Sequence, residues 1–451
     1  MAGPFPQPPL PNLRCSGLGV VPKKDGGWRV IYHLSAPPGL SINDFIDPTL
    51  YSLHYCTIDT AFQIINTLGP RALMGKMDLK NAFRQLPVRR EDWHLLGIHW
   101  QGHWYVDKCL PFGLRSSPAL FNQLASAIEW ILQHNYGVQH IIHYLDDFFT
   151  AGPADSLACH HNMAAMKGLF KAINAPTNPD KEEGPSTTIT FLGVLLDTTT
   201  MQASITTDRK AELLQAIHQL QGKHTCTKRQ LLSLIGKLAF ASKVVPPGRI
   251  FLRRLIDLST TVRPLHHHIT LNREAHADLT WWSHYLPTWS GTSLVLETDW
   301  SPAPDMQLFT DASNVGYGAF WAGEWFNAHW TPSQAHHTIA WKELYAILAA
   351  CSTWGHTWQR KRMLFHCDNA AVVDIWRRGS CKCMHLMSLV RHLFFMAARG
   401  NYHVGITHIP GTSNRIADHL SRFSMQEFRL AAPHAAAQPT PVVTPVQQTG
   451  L

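Results

Sequence analysis

Short apolar runs that end in single acids organise this chain. His140-Ile141-Ile142-His143 and Phe148-Phe149-Thr150 flank Tyr144-Leu145-Asp146-Asp147. That pattern predicts a β-hairpin whose tight turn carries two carboxylates. Upstream, Leu73-Met74-Gly75-Lys76-Met77-Asp78 reads as a strand ending in a third acid, with Phe83 following in the next turn. Between them, Leu110-Pro111-Phe112-Gly113-Leu114 opens a Pro/Gly-punctuated loop that runs into a helix from Phe121 to Leu132. Leu213, Leu214, Ile217 and Leu220, then Leu231, Leu232, Leu234, Ile235 and Leu238, carry helical periodicity.

The last third repeats the strand-then-acid theme. Leu308-Phe309-Thr310-Asp311 ends one strand and turns into another at Gly316-Tyr317-Gly318. Thr338 to Leu348 reads as a helix with Leu344, Ile347, Leu348 and Cys351 on one stripe and Glu343 beside it. Met363-Leu364-Phe365-His366-Cys367 is a strand that ends at Asp368. His408 to Asp418 is a turn entering a helix.

Tight turns favour Gly, Asn or one Asp, so two adjacent anions at Asp146-Asp147 call for a neighbouring cation. Mg²⁺ suits such a place because it takes hard carboxylate oxygens together with substrate phosphates. A solvated polar turn explains an isolated Asp-Asp pair equally well. Three acids from two strands can hold two ions roughly 3.5–4 Å apart.

The order strand-Asp78, Leu110-Pro111-Phe112-Gly113-Leu114 with Pro118, then Tyr144-Leu145-Asp146-Asp147 resembles the palm of a reverse transcriptase. Val21-Pro22-Lys23-Lys24-Asp25-Gly26-Gly27-Trp28-Arg29-Val30 resembles the fingers hairpin of that family. The resemblance implies that Lys23 and Arg29 contact the triphosphate of an incoming dNTP. It implies that Phe83 blocks a 2′-hydroxyl, that Phe112 and Gly113 line the nucleotide site, and that Lys181 in Asn178-Pro179-Asp180-Lys181 serves the pyrophosphate. Phe191-Leu192-Gly193 resembles the primer grip. Phe112 stands where many retroviral enzymes carry Gln, and the chain begins almost at the fingers motif.

Any one of Asp311, Glu343, Asp368 and Asp418 has a dull explanation as a cap or a solvated face. Together, in this order, they resemble the four-carboxylate site of ribonuclease H, which implies two further Mg²⁺ ions. Thr412 stands where many members carry a His, and His408 is a candidate substitute. The resemblance covers residues 18–424. Arg229-Gln230-Leu231-Leu232-Ser233-Leu234-Ile235-Gly236-Lys237-Leu238, Pro247-Gly248-Arg249 and Arg253-Arg254-Leu255 look most like tyrosine-recombinase (DIRS-type or Ngaro-type) elements.

Charge agrees with a polyanionic partner. The 451 residues carry a formal +8, and residues 208–263 hold eleven Lys/Arg against three Asp/Glu. The nine cysteines form no CxxC pair, which fits a reducing, intracellular compartment, nuclear or cytoplasmic. No apolar run long enough to span a membrane is present.

The expected architecture is α+β and multidomain: a right-hand polymerase of fingers, palm and thumb, followed by an α/β ribonuclease H-like domain. The boundaries expected are 1–205 for fingers and palm, 206–298 for thumb and connection, 299–425 for the nuclease, and 426–451 for a disordered tail. The ions expected at Asp78, Asp146, Asp147, Asp311, Glu343, Asp368 and Asp418 are Mg²⁺, two per site, with Mn²⁺ as substitute. The partners expected are an RNA template, a DNA primer, an RNA–DNA hybrid and dNTPs, with a recombinase or other element-encoded protein as a further candidate. A copy that only binds nucleic acid is the alternative reading.

Overall fold

The computed structural model describes residues 1–22, 26–289, 291–293, 303–359, 361–379, 381, 383–400 and 402–445. The chain divides into two compact units, Met1–Gln202 and Ala203–Leu451. The expected limit at 205 lies beside this division, and the expected limit at 298/299 falls outside the described residues.

The first unit contains β1 (Ala2–Phe5), β2 (Gly17–Pro22), β3 (Trp28–His33), α1 (Ile58–Leu68) and β4 (Leu73–Asp78). Next come β5 (Gly97–Trp100), β6 (His103–Val106), α2 (Ser117–Asn135), β7 (Ile141–Tyr144), β8 (Asp147–Gly152) and α3 (Ala158–Ala172). It ends with β9 (Glu183–Ser186), β10 (Thr188–Phe191) and β11 (Val194–Asp197), and β12 (Gln202–Ile205) crosses the division. β7, β8, β4 and β9 form, in that order, an antiparallel sheet. Alternation decides its faces. Met77 and Phe148 point to α2 and α3 and join Phe121, Ile128, Leu132, Met166 and Phe170 in one core. The intervening positions, Lys76, Asp78, Asp147 and Phe149, therefore share the other face.

The second unit opens with helices: α4 (Thr207–Gln221), α5 (Lys228–Ala241), α6 (Arg253–Ser259) and α7 (Arg273–Thr288). Two short strands, β13 (Thr225–Thr227) and β14 (His268–Thr270), pair among them, and β15 (Thr292–Ser293) follows. Asn272 caps α7 by accepting from the Ala275 amide at 2.8 Å. A mixed sheet follows: β16 (Gln307–Ala312), β17 (Gly316–Trp321), β18 (Glu324–His329), β19 (Arg362–Cys367) and β20 (His403–His408). Its order is β18-β17-β16-β19-β20, antiparallel from β18 to β16 and parallel from β16 to β20. The short α8 (Pro332–Ala335) and the long α9 (Ile339–Trp354) carry the crossover to β19. α10 (Ala370–Arg378) and α11 (Met384–Arg399) carry the next, as parallel neighbours require. α12 (Arg415–Ser421) and α13 (Met425–Ala431) close the unit.

The expectation of a disordered tail over 426–451 is corrected as far as residue 445. Phe428 and Ala432 are fully buried and pack with Trp325 and Phe320. Arg429 donates to the Ala435, Ala436 and Ala437 carbonyls, and the Trp325 indole donates to Ala436 O at 2.7 Å. Uncharged small residues here fill a groove along β18, so low charge marks packing rather than solvation. In the first unit β1 pairs with β6, with Ala2 opposite Val106 and Phe5 opposite Trp104.

One buried ion pair ties α7 to α11. Arg391 and Asp278 are each 1% exposed and directly paired, with Arg254 3.6 Å from the same carboxylate oxygen. Arg391 also lies over the Phe251 ring, which stacks on Trp281 at 3.8 Å. Arg391→Met is expected to destabilise this unit by about 3–5 kcal/mol, at the lower end because Arg254 remains. Adding Asp278→Leu should recover most of the loss, as read by urea denaturation. An unaffected single variant would refute the pair's role.

Candidate metal centres

The first cluster forms because three acids meet at one end of the β7-β8-β4-β9 sheet. Asp78 ends β4 and Asp147 begins β8, and the two are directly opposed across the strands. Tyr144 pairs with Asp147, which leaves Leu145 and Asp146 as a two-residue turn. Leu145 sits at φ 54°, a left-handed conformation that costs a branched residue energy and concentrates at functional turns. The Leu79 amide donates to the Asp146 carbonyl at 2.9 Å, which fixes the turn against the end of β4. The outer strand β7 is held from α2, where His143 Nδ1 lies 2.5 Å from Glu129.

Burial together with the mutual charge of these acids makes ionisation costly. Asp147 is pushed up to about 7, chiefly by burial, with Asp78 and Asp146 adding to the shift and Lys76 opposing it. Burial and then the Asp78 charge also raise Asp146. Oδ1 of Asp147 is buried with no hydrogen-bond partner. An unpartnered buried oxygen among hard oxygen donors fits a divalent cation such as Mg²⁺. Lys181 supplies positive charge meanwhile: its ammonium is 3.0 Å from both Asp78 oxygens. The Asn178 amide anchors that turn by donating to the Asp78 carbonyl at 2.9 Å.

A second group lies in the same unit. Arg29 stacks its guanidinium 4.8 Å from the Phe112 ring centroid and contributes positive charge at Asp146. Phe83 contacts Phe112 and Phe121 at 5.0 and 5.8 Å between centroids. Gly113 adopts φ 106°, and a Cβ there would collide with the Tyr32 carbonyl. Lys23 lies outside the described residues.

The remaining four acids converge in the second unit. β16 and β19 are parallel, with Phe309 beside His366, so Asp311 and Asp368 emerge at matching ends. Glu343, 3% exposed on α9, meets them from one side and Asp418 on α12 from the other. Burial and then the charges of Asp311 and Asp368 push Glu343 up to about 9, and burial leads in raising Asp311 to about 6. Ligand atoms of Glu343, Cys367 and Asp368 lie within 4.8 Å of one another. The Ser421 hydroxyl donates to Asp311 at 2.5 Å, and Arg422 Nε donates to Asp418 at 2.6 Å.

Several supporting residues escaped the sequence reading. Asn43 is buried, donates to the Gly113 carbonyl at 2.9 Å and accepts from the Arg115 amide at 2.8 Å, so it holds that loop at two points. Ser421 and Cys367 also went unseen, and nothing in their local pattern marks them. Lys76 did carry a signal: a charged residue inside an apolar strand, two positions before Asp78.

Residues 21–196 match the family model for reverse transcriptase (RNA-dependent DNA polymerase). The Transposon Tf2-3 and Tf2-4 polyproteins of Schizosaccharomyces pombe are each 22% identical over 424 residues, covering 89% of this chain. This chain spans only 28% of their length. The solved structure of the foamy viral protease-reverse transcriptase dRH in complex with ds DNA aligns with TM-score 0.52 and 16% identity. That alignment covers 88% of this chain and 65% of the other. The fold, mixed helix and sheet, is therefore similar to the polymerase fold of that foamy viral reverse transcriptase. Among the described residues no helix is long and apolar enough to cross a membrane.

The raised carboxylates set the sign of a pH effect. Glu343 has a folded value near 9 against 4.5 ordinarily, so its contribution to stability is complete below 4.5 and is lost as pH rises towards 9. Ion-free protein should therefore melt at lower temperature as pH climbs through that range. Glu343→Gln should flatten the decline, and Mg²⁺ at alkaline pH should stabilise the native chain more than the variant. Parallel melting curves for the two proteins across pH would contradict this electrostatic account.

Proposed function

We propose that this chain is a retroelement RNA-directed DNA polymerase that also cleaves the RNA strand of an RNA–DNA hybrid at a separate site. The observation that carries the reading is the meeting of Asp78, Asp146 and Asp147 at one sheet end within residues 21–196. These three would hold the polymerase ions, Mg²⁺ or Mn²⁺. Bound there, the ions would supply charge neutralisation at the primer 3′-hydroxyl and the departing pyrophosphate.

The chain's own side chains do the rest by positioning. Arg29, stacked over Phe112, would contact the triphosphate of a dNTP together with Lys23, which lies outside the described residues. Lys181 stands beside Asp78, where its ammonium can serve the leaving pyrophosphate. Phe83, in contact with the Phe112 and Phe121 rings, would present a rigid ring to the sugar. Gly113 lets the backbone approach where a side chain would not fit.

In the second unit Asp311, Glu343, Asp368 and Asp418 would hold the ions of a ribonuclease H-like centre. Ser421 and Arg422 orient two of those carboxylates. The basic stretch over 208–263, largely on α4, α5 and α6, would grip the phosphate backbone of the primer–template as a thumb. The segment 229–255 supports assignment to tyrosine-recombinase elements of the DIRS or Ngaro type.

Primer extension on a labelled RNA template tests both activities at once. Asp146→Asn should abolish extension and leave hybrid cleavage intact, and Asp368→Asn should do the reverse. Loss of both activities in either variant, with the fold retained, would sink the two-site reading. Phe83→Ala should admit rNTPs, with the preference for dNTPs falling by about tenfold or more. Unchanged sugar selectivity would remove Phe83 from that role.

A further inference from the structure

We propose that Lys76 is a positioning residue that fastens the β10–β11 turn to the row directly behind Asp78 and Asp147; this rests on the polymerase reading above. The argument begins with register. Lys76 lies opposite Phe149 on β8 and Glu183 on β9, so these three side chains form a row across the sheet. Asp78 and Asp147 form the next row, two residues along each strand and on the same face. Lys76 is thus the group directly behind the acids.

Its ammonium is fully engaged in a second direction. It lies 2.8 Å from Glu183 Oε1 and donates to the Thr190 carbonyl at 2.7 Å. Thr190 precedes Phe191 at the end of β10, and Phe191 packs on Phe149 with ring centroids 4.9 Å apart. The β10–β11 hairpin is therefore fastened to the back row at two points, one polar and one aromatic. Beyond these points Leu192 and Gly193 turn through φ 47° and 77°. A charge-assisted bond to a carbonyl is stronger and more directional than a neutral one. A lysine in the middle of a strand would otherwise be a costly choice: only 13% of its side chain is exposed. That cost is offset by fixing how far the turn stands from the acids. A turn held at a fixed distance behind reacting groups acts by positioning, and small misplacements there reduce rate more than binding.

The test compares Lys76→Met, Lys76→Arg and Glu183→Gln in the full chain, using single-turnover addition of one dNTP to a DNA primer on an RNA template. Lys76→Met should slow the burst rate by about tenfold or more, with primer–template Kd within twofold of native. Lys76→Arg, which keeps a donor for the Thr190 carbonyl, should recover much of the rate, and Glu183→Gln should lie between. A native burst rate at reduced amplitude would mean that Lys76 only supports folding, and would overturn the proposal. So would a weakened Kd that accounts for the whole loss. Amide hydrogen exchange over residues 190–194 needs no catalysis. It should accelerate in Lys76→Met while β4 and β8 stay protected, and unchanged exchange there would defeat the inference even if the polymerase reading itself had failed.

Discussion

Repulsion among buried carboxylates is the constraint on which the rest of this structure depends. Asp78, Asp146 and Asp147 are brought together at a sheet end, and Asp311, Glu343, Asp368 and Asp418 are brought together by a second sheet and two helices. Neither arrangement is favourable alone, because burial and like charge both oppose ionisation. The surrounding fold supplies the work: α2 and α3 pack one face of the first sheet, and α9 is buried along nearly its whole length. Core packing thus holds the acids where water would separate them.

The same repulsion explains the cations found nearby. Lys181 pairs with Asp78 at the front, Lys76 stands one row behind, and Arg422 holds Asp418 in the other cluster. Each partly offsets negative charge, yet an Asp147 oxygen remains without a hydrogen-bond partner and Glu343 remains far above the ordinary carboxylate range. Incomplete compensation of this kind fits a divalent-ion centre. A fully paired set of acids would be stable and inert; a partly paired set keeps its affinity for a hard cation.

Packing outside the clusters serves precision. Arg391 and Asp278 join α11 to α7, and α13 with the strap after it covers β18 through Phe428 and Ala432. Asn43 plays a comparable part for the Gly113 loop by bonding to the Gly113 carbonyl and the Arg115 amide. These contacts touch none of the seven clustered acids. They fix α11, which packs on α9, and α13, which packs on α12, so elements carrying Glu343 and Asp418 are braced from behind.

Much of the site could be read from the chain itself. A strand that ends in Asp, a Pro/Gly loop before a helix and an Asp-Asp turn are local patterns, because strand periodicity and turn chemistry act over a few residues. Order along the chain then supplied the family resemblance and the two groups of acids. The rest needed the tertiary structure. Lys76 was visible as an oddity, but its partners Glu183 and Thr190 lie more than a hundred residues away. Ser421 and Asn43 look like ordinary polar residues until folding sets them against Asp311 and Gly113. The tail looked solvated because composition counts charge and hydrophobicity without knowing that a groove awaits Phe428. Alternation along a strand says which residues share a face; only the packed fold decides what that face meets.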